Sequence, residues 1–187
     1  MIASLRPDVI IANKEENVKA QIDEIKKICP VYVSDIYNLH GAIQMLYDIG
    51  IITGKESKAS AIVTQINELF QQLQPKNIRK AAYLIWRDPY MTVGGDTFIS
   101  DLMQRCGFQN MFQKQNRYPE VTIEQLRELK CELLLLSSEP YPFKEVHLLE
   151  IQAKLPNTRV VLADGEMFSW YGSRLLKAAV YFQSIIY

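Results

Sequence analysis

Aromatic and charged residues gather in four short stretches of this sequence. They are Trp86-Arg87-Asp88-Pro89-Tyr90, Asn116-Arg117-Tyr118-Pro119-Glu120, Ser138-Glu139-Pro140-Tyr141-Pro142-Phe143 and Asp164-Gly165-Glu166-Met167-Phe168-Ser169-Trp170-Tyr171. Both tryptophans of the chain lie in them. Indole and phenol rings offer flat apolar area with a polar handle, and a few charges among them fix orientation. That combination suits non-covalent binding of a large ligand, partly flat and partly polar. Trp86, Arg87, Tyr118, Glu139, Tyr141, Glu166, Phe168 and Trp170 are the candidate ligand-binding residues. Each also has a structural reading. The Pro-Tyr-Pro-Phe run fits a plug onto the core, Trp86 fits a core position, and Glu139 or Glu166 fits a salt bridge to Arg87 or Arg174.

Catalytic chemistry finds less support. Gly94-Gly95 stands alone and makes no phosphate-cradling loop. Ser137 and Ser138 lack a nucleophile-elbow frame. His40 and His147 are in no metal-ligand spacing, and both fall in expected helices. Glu139 and Glu166 would serve as an acid–base pair only if the fold brought them together. Cys29, Cys106 and Cys131 are odd in number and widely spaced, so they read as small apolar residues, not as a disulfide framework or zinc site. No catalytic residue, metal ligand or resident cofactor is expected.

The elements that must position these stretches follow from hydrophobic spacing. Asp8–Ala12 is a β-branched strand after Pro7, Glu15–Ile28 a helix, and Val31–Val33 a second strand, together a parallel strand–helix–strand unit. Helices are expected over 38–52 and Glu56–Gln74, the latter about 19 residues or ~28 Å at 1.5 Å per residue. A new unit starts with the strand Ala81–Trp86. Asp96-Thr97 caps a helix running to Cys106-Gly107, and Thr122 and Gln125 stand at capping-box spacing. Leu133–Ser137 is a fully buried strand by its continuous apolar run. Residues 144–154 are helical, Arg159–Leu162 is a strand, and Ser173 opens an amphipathic helix to the C-terminus. Alternating strands and helices give an α/β class with mainly parallel sheets. In such sheets ligands bind beyond the strands' carboxyl ends. The Trp86, Glu139 and Asp164 stretches directly follow strands.

Composition narrows the partners. Lys plus Arg number 21 and Asp plus Glu 21, so the 187-residue chain is formally neutral. Nucleic acid, which demands a basic footprint, is not indicated. There is no apolar run of about 18 residues, so no membrane span is expected. The start, Met1-Ile-Ala-Ser-Leu-Arg-Pro, does not read as an export signal.

Taken in order, these stretches resemble the helical-backbone substrate-binding proteins of ABC importers for cobalamin, iron–siderophores and related metal chelates. Leu5-Arg6-Pro7-Asp8-Val9-Ile10-Ile11-Ala12 resembles the first of that group's motifs retained here. It is followed by Trp86–Tyr90, Gly95-Asp96-Thr97-Phe98-Ile99, Arg117–Val121, Ser137–Phe143 and Asp164–Met167. The resemblance implies two Rossmann-like three-layer lobes joined by a long helix, with a corrinoid or ferric chelate held between them. The lobes would be residues 1–54 and 78–187, with the helix within 55–77. It implies that Trp86 and Tyr118 are ligand aromatics, and that the Asp164–Trp170 loop is the last ligand loop. Glu124 would be the carboxylate that docks on the permease. Family members have about two more strand–helix units before the Leu-x-Pro-Asp segment, so the first lobe is expected to be incomplete. The family works outside the cytoplasm, in the periplasm or at the cell surface. Two other readings stay open: a carboxylate-dependent enzyme on the same fold, and a fragment or interaction module that pairs as a homodimer through its open sheet edge.

Overall fold

The computed structural model describes residues 2–186 and divides the chain into two compact units, Met1–Ile36 and Tyr37–Tyr187. Met1 and Tyr187, the latter the expected end of the C-terminal helix, lie outside the described residues.

The first unit holds a short 3-10 turn (Ile2–Leu5), strand β1 (Ile10–Asn13), helix α1 (Lys19–Ile25) and strand β2 (Val31–Ser34). The strands pair in parallel from Ile10 with Val31 to Asn13 with Ser34, the expected strand–helix–strand unit. The helix is shorter than its apolar spacing suggests. Asn13 Oδ1 accepts the Glu16 N–H at 2.7 Å, so a side-chain turn holds the segment where the helix was expected to begin.

The second unit starts with helices α2 (Leu39–Ile52) and α3 (Glu56–Gln71). Asn38 caps α2 by accepting the Gly41 N–H at 2.8 Å. Ala59, Val63, Ile66 and Phe70 form the buried stripe of α3. That helix closes earlier than expected. Pro75 biases Gln74 away from helical geometry, and the last turn tightens through Gln72 N to Leu69 O and Leu73 N to Phe70 O, both 3.2 Å.

The core follows as β3 (Arg79–Leu84), α4 (Phe98–Arg105), β4 (Phe108–Asn110), α5 (Ile123–Glu128), β5 (Leu133–Ser137), α6 (Glu145–Lys154), β6 (Arg159–Ala163), α7 (Gly165–Ser169) and α8 (Leu175–Ile186). The four strands lie in the order β4-β3-β5-β6, all parallel. The expected α/β class is therefore what folds. Every residue of β5 is buried, as its unbroken leucine run requires of a strand covered on both faces. The Thr97 cap and the complete Thr122–Gln125 capping box stand where their spacing put them. Two elements had no usable signal. β4 has three residues and α7 five, too few for a periodicity to show.

Candidate functional site

Because the strands are parallel, β3, β5 and β6 deliver their following loops to one edge of the sheet. Backbone hydrogen bonds knit the loops there. Ile85 O accepts the Tyr141 N–H at 3.2 Å, and Ala163 O accepts the Ser138 N–H at 3.0 Å. The segment after β3 folds back on itself, with Ile85 N to Met91 O at 3.0 Å and Met91 N to Trp86 O at 3.2 Å. It then runs beside residues 115–121, through Thr92 N to Pro119 O at 2.9 Å and Gly94 N to Arg117 O at 2.7 Å. A Cβ at Gly94 would overlap the Gln115 carbonyl and one at Gly95 the Gln113 carbonyl, so close backbone approach accounts for the glycine pair.

On this framework Trp86 is 41% exposed and stands edge-on to Tyr141, ring centroids 5.9 Å apart. Tyr141 in turn packs on Phe143 at 4.8 Å and on His147 at 5.5 Å. Phe143 is buried, so this run both plugs the core and carries Tyr141 outward. His147 was missed as a contributor. Its Nδ1 accepts the Lys144 N–H at 3.0 Å, which puts the neutral ring's proton on Nε2, 3.4 Å from Tyr141 Oη. The available signal was its position, three residues after the start of a helix-capping turn.

Arg87 sits in an ion-pair network. Its guanidinium donates to Glu150 Oε2 at 2.8 Å, and Lys154 holds the other oxygen of that carboxylate at 2.9 Å. The Lys154 hydrogen bond, ahead of the Arg87 charge, draws the Glu150 pKa below its ordinary value. The guanidinium is mostly covered, and its Nε is buried with no hydrogen-bond partner among the described residues. Tyr118 is half-buried on the 115–121 segment with the Arg117 guanidinium 5.2 Å over its ring.

At the other end of the edge, Trp170 is 50% exposed. Its Nε1 donates to Glu139 Oε1 at 2.8 Å, and the Ser169 hydroxyl donates to the same oxygen at 2.7 Å. Glu166 pairs with Arg174 at 2.7 Å, and the Arg174 guanidinium lies 5.5 Å over the Trp170 ring. Of the glutamate–arginine pairings the sequence allows, Glu166 with Arg174 forms, whereas Glu139 takes an indole partner in place of an arginine. Both carboxylates hold structural bonds, an arrangement for shaping a surface more than for moving a proton.

Phe168 needs correction as a ligand contact. Its ring is 0% exposed, packed 4.8 Å from Phe182 and 5.0 Å from Tyr83. The Asp164 side chain caps α7 by accepting the Glu166 N–H at 3.1 Å, and the short helix turns Phe168 inward. Beneath, burial pushes the Tyr83 phenol far above its ordinary pKa, so it stays a neutral donor to Ser137 Oγ at 3.0 Å. Ser137 is hydrogen-bonded to the Glu139 backbone, which ties core to surface. Cys106 and Cys131 are buried free thiols, and burial pushes Cys131 up to about 11, so neither offers a ready thiolate.

Glu124 stands apart from these loops, exposed in the capped first turn of α5. Two surface concavities, one round Arg79, Cys106 and Phe108 and one round Ile78, Gln104 and Gln109, lie about the starts of β3 and β4 and are lined by none of these residues. Among the described residues no three His, Cys, Asp or Glu side chains group to hold a metal ion, and no helix is long and apolar enough to cross a membrane.

The family model described as periplasmic binding protein matches residues 1–156. The chain belongs to the periplasmic binding protein family. A vitamin B12-binding protein of Vibrio campbellii is 25% identical over 142 residues, covering 73% of this chain and 52% of that protein. The Fe(3+)-citrate-binding protein YfmC of Bacillus subtilis is 26% identical over 145 residues, covering 74% of this chain and 46% of that protein. The chain therefore spans about half the length of these curated relatives. The crystal structure of the periplasmic vitamin B12 binding protein BtuF of Vibrio cholerae matches 99% of this chain and 76% of its own, with a TM-score of 0.79 at 18% identity. That is a likeness of fold.

In this chain the tight seam between the β5 and β6 loops sits at Gly165. A Cβ there would stand 2.6 Å from Ser137 Oγ and 3.0 Å from the Glu139 backbone nitrogen. Gly165→Ala is expected to cost about 1–3 kcal/mol through overpacking. Urea melts check this, and an unchanged midpoint would mean that the two loops yield freely.

Proposed function

We propose that the protein is the solute-binding component of an ABC importer for a metal chelate of the corrinoid, heme or ferric-chelate class. It binds without turnover and works outside the cytoplasm. The observation that carries the reading is the pair of exposed indoles, Trp86 and Trp170, on loops delivered to one sheet edge in a member of this family. Exposed tryptophans on braced loops bury large area at little cost in side-chain freedom. The nearby cations Arg87 and Arg174 are each matched by a carboxylate, Glu150 and Glu166, so neither adds an unpaired positive charge to the face. A large chelate, flat on one side and of low net charge, fits that chemistry. Any metal arrives inside its ligand. The names of the vitamin B12-binding and ferric-citrate-binding relatives support the same class. Exposed Glu124 is the contact we assign to basic residues of the permease, where charge sets register and encounter rate.

The test is a titration of the protein with cyanocobalamin, hemin and ferric citrate, followed by tryptophan emission. Saturable quenching by at least one of them is expected. Failure of all three to quench saturably would overturn the reading.

A further inference from the structure

Trp170 is held on three sides. Its backbone N–H closes α7 on Glu166 O at 3.1 Å. Its indole N–H donates to Glu139 Oε1 at 2.8 Å, and that carboxylate is itself oriented by Ser169 at 2.7 Å. The Arg174 guanidinium lies over the ring at 5.5 Å while its charge is matched by Glu166 at 2.7 Å. The indole is nonetheless half exposed. A large exposed side chain normally samples several rotamers, and ordering it on binding costs affinity. Here the bonds that order it are already made.

We infer that Glu139 and Arg174 are positioning residues that lock the Trp170 indole as a preformed wall for the flat face of the ligand. Glu139 therefore shapes the ligand surface through Trp170. Its lone pairs on Oε1 are spent on two donors, and its side chain packs under Gly165. The ligand part of the inference rests on the solute-binding reading, and the lock itself does not.

The chain has two tryptophans, so Trp86→Phe leaves Trp170 as the sole indole reporter. Time-resolved fluorescence anisotropy without ligand then reads its local motion. The reference should rotate with the whole protein, and Glu139→Ala should add a fast nanosecond component. Glu139→Gln, whose amide oxygen accepts the same N–H, should abolish that component. Arg174→Gln uncovers the ring without touching Glu139 and should add a smaller fast component, a second reading should Glu139→Ala fold poorly. Unchanged anisotropy in both Glu139→Ala and Arg174→Gln, or no rescue by Glu139→Gln, overturns the lock.

Binding is measured separately with Trp86 retained, using hemin as probe. Glu139→Ala should weaken it about three- to tenfold, the cost of ordering one large side chain, and Glu139→Gln should restore it. Equal affinity in Glu139→Ala with Trp170 set loose would overturn the positioning role. No binding of hemin, cyanocobalamin or ferric citrate by the unaltered protein, with the anisotropy as expected, would remove the solute-binding reading and uphold the lock.

Discussion

Phe168→Ala is expected to destabilise the second unit by about 3–5 kcal/mol, the usual cost of emptying a buried phenylalanine site. The ring is fully buried and contacts Tyr83, Phe182 and Tyr181, with centroids at 5.0, 4.8 and 6.4 Å. Its removal leaves three aromatic side chains facing a void that they cannot fill by small shifts. Such a loss is a large share of the ~5–15 kcal/mol that holds a domain folded. A lower urea midpoint at unchanged slope is the expected measurement. Phe168→Leu, closer in volume, should cost less than about 1.5 kcal/mol if the cavity repacks. Ligand affinity, measured where the variant is still folded, should barely change, because the ring does not reach the surface. Lost affinity at unchanged stability would return Phe168 to the ligand surface.

Trp86→Ala should do the reverse. Its ring is 41% exposed and touches Tyr141 edge-on at 5.9 Å, so truncation empties no core site. The stability change should be small, about 1 kcal/mol or less. Affinity for whichever chelate binds should fall about ten- to a hundredfold, from the ~1–3 kcal/mol that stacking on one aromatic contributes. Trp170 remains as the fluorescent reporter. Trp86→Phe should keep part of the affinity, since a smaller ring still stacks. The backbone that presents Trp86 is fixed by the Ile85, Trp86 and Met91 bonds, which leaves the ring itself as the variable. An affinity unchanged by Trp86→Ala would remove this residue from the binding face and with it half of the proposed surface.

These two aromatics show what was legible and what was not. Both fall in loops that follow strands, and in the sequence they look alike. Trp86 stands two residues beyond β3, at a position where the sequence allowed both a ligand face and a core site, and it is exposed. Phe168 sits in a five-residue helix capped by Asp164, and a helix of little more than one turn leaves no repeat to reveal which way it faces. The charged residues behaved similarly. Glu166 and Arg174, eight positions apart, are one of the pairings that the sequence leaves open, and it is the one that forms. Arg87 found Glu150, 63 positions away, and Glu139 found Trp170, 31 positions away. Neither partner announces itself by composition.

The sequence by itself determined the α/β class, the buried β5 run, the helix caps at Thr97 and Thr122, and the placing of the aromatic stretches beyond parallel strands. All of these rest on short-range rules: apolar periodicity, capping spacing, and the fact that parallel strands send their carboxyl ends the same way. Only the tertiary structure decided which aromatic faces solvent, which carboxylate holds an indole, and which glutamate Arg87 meets. Those choices depend on side chains from separate strands meeting at one sheet edge, and the chain's local pattern carries no information about such meetings until the sheet is assembled.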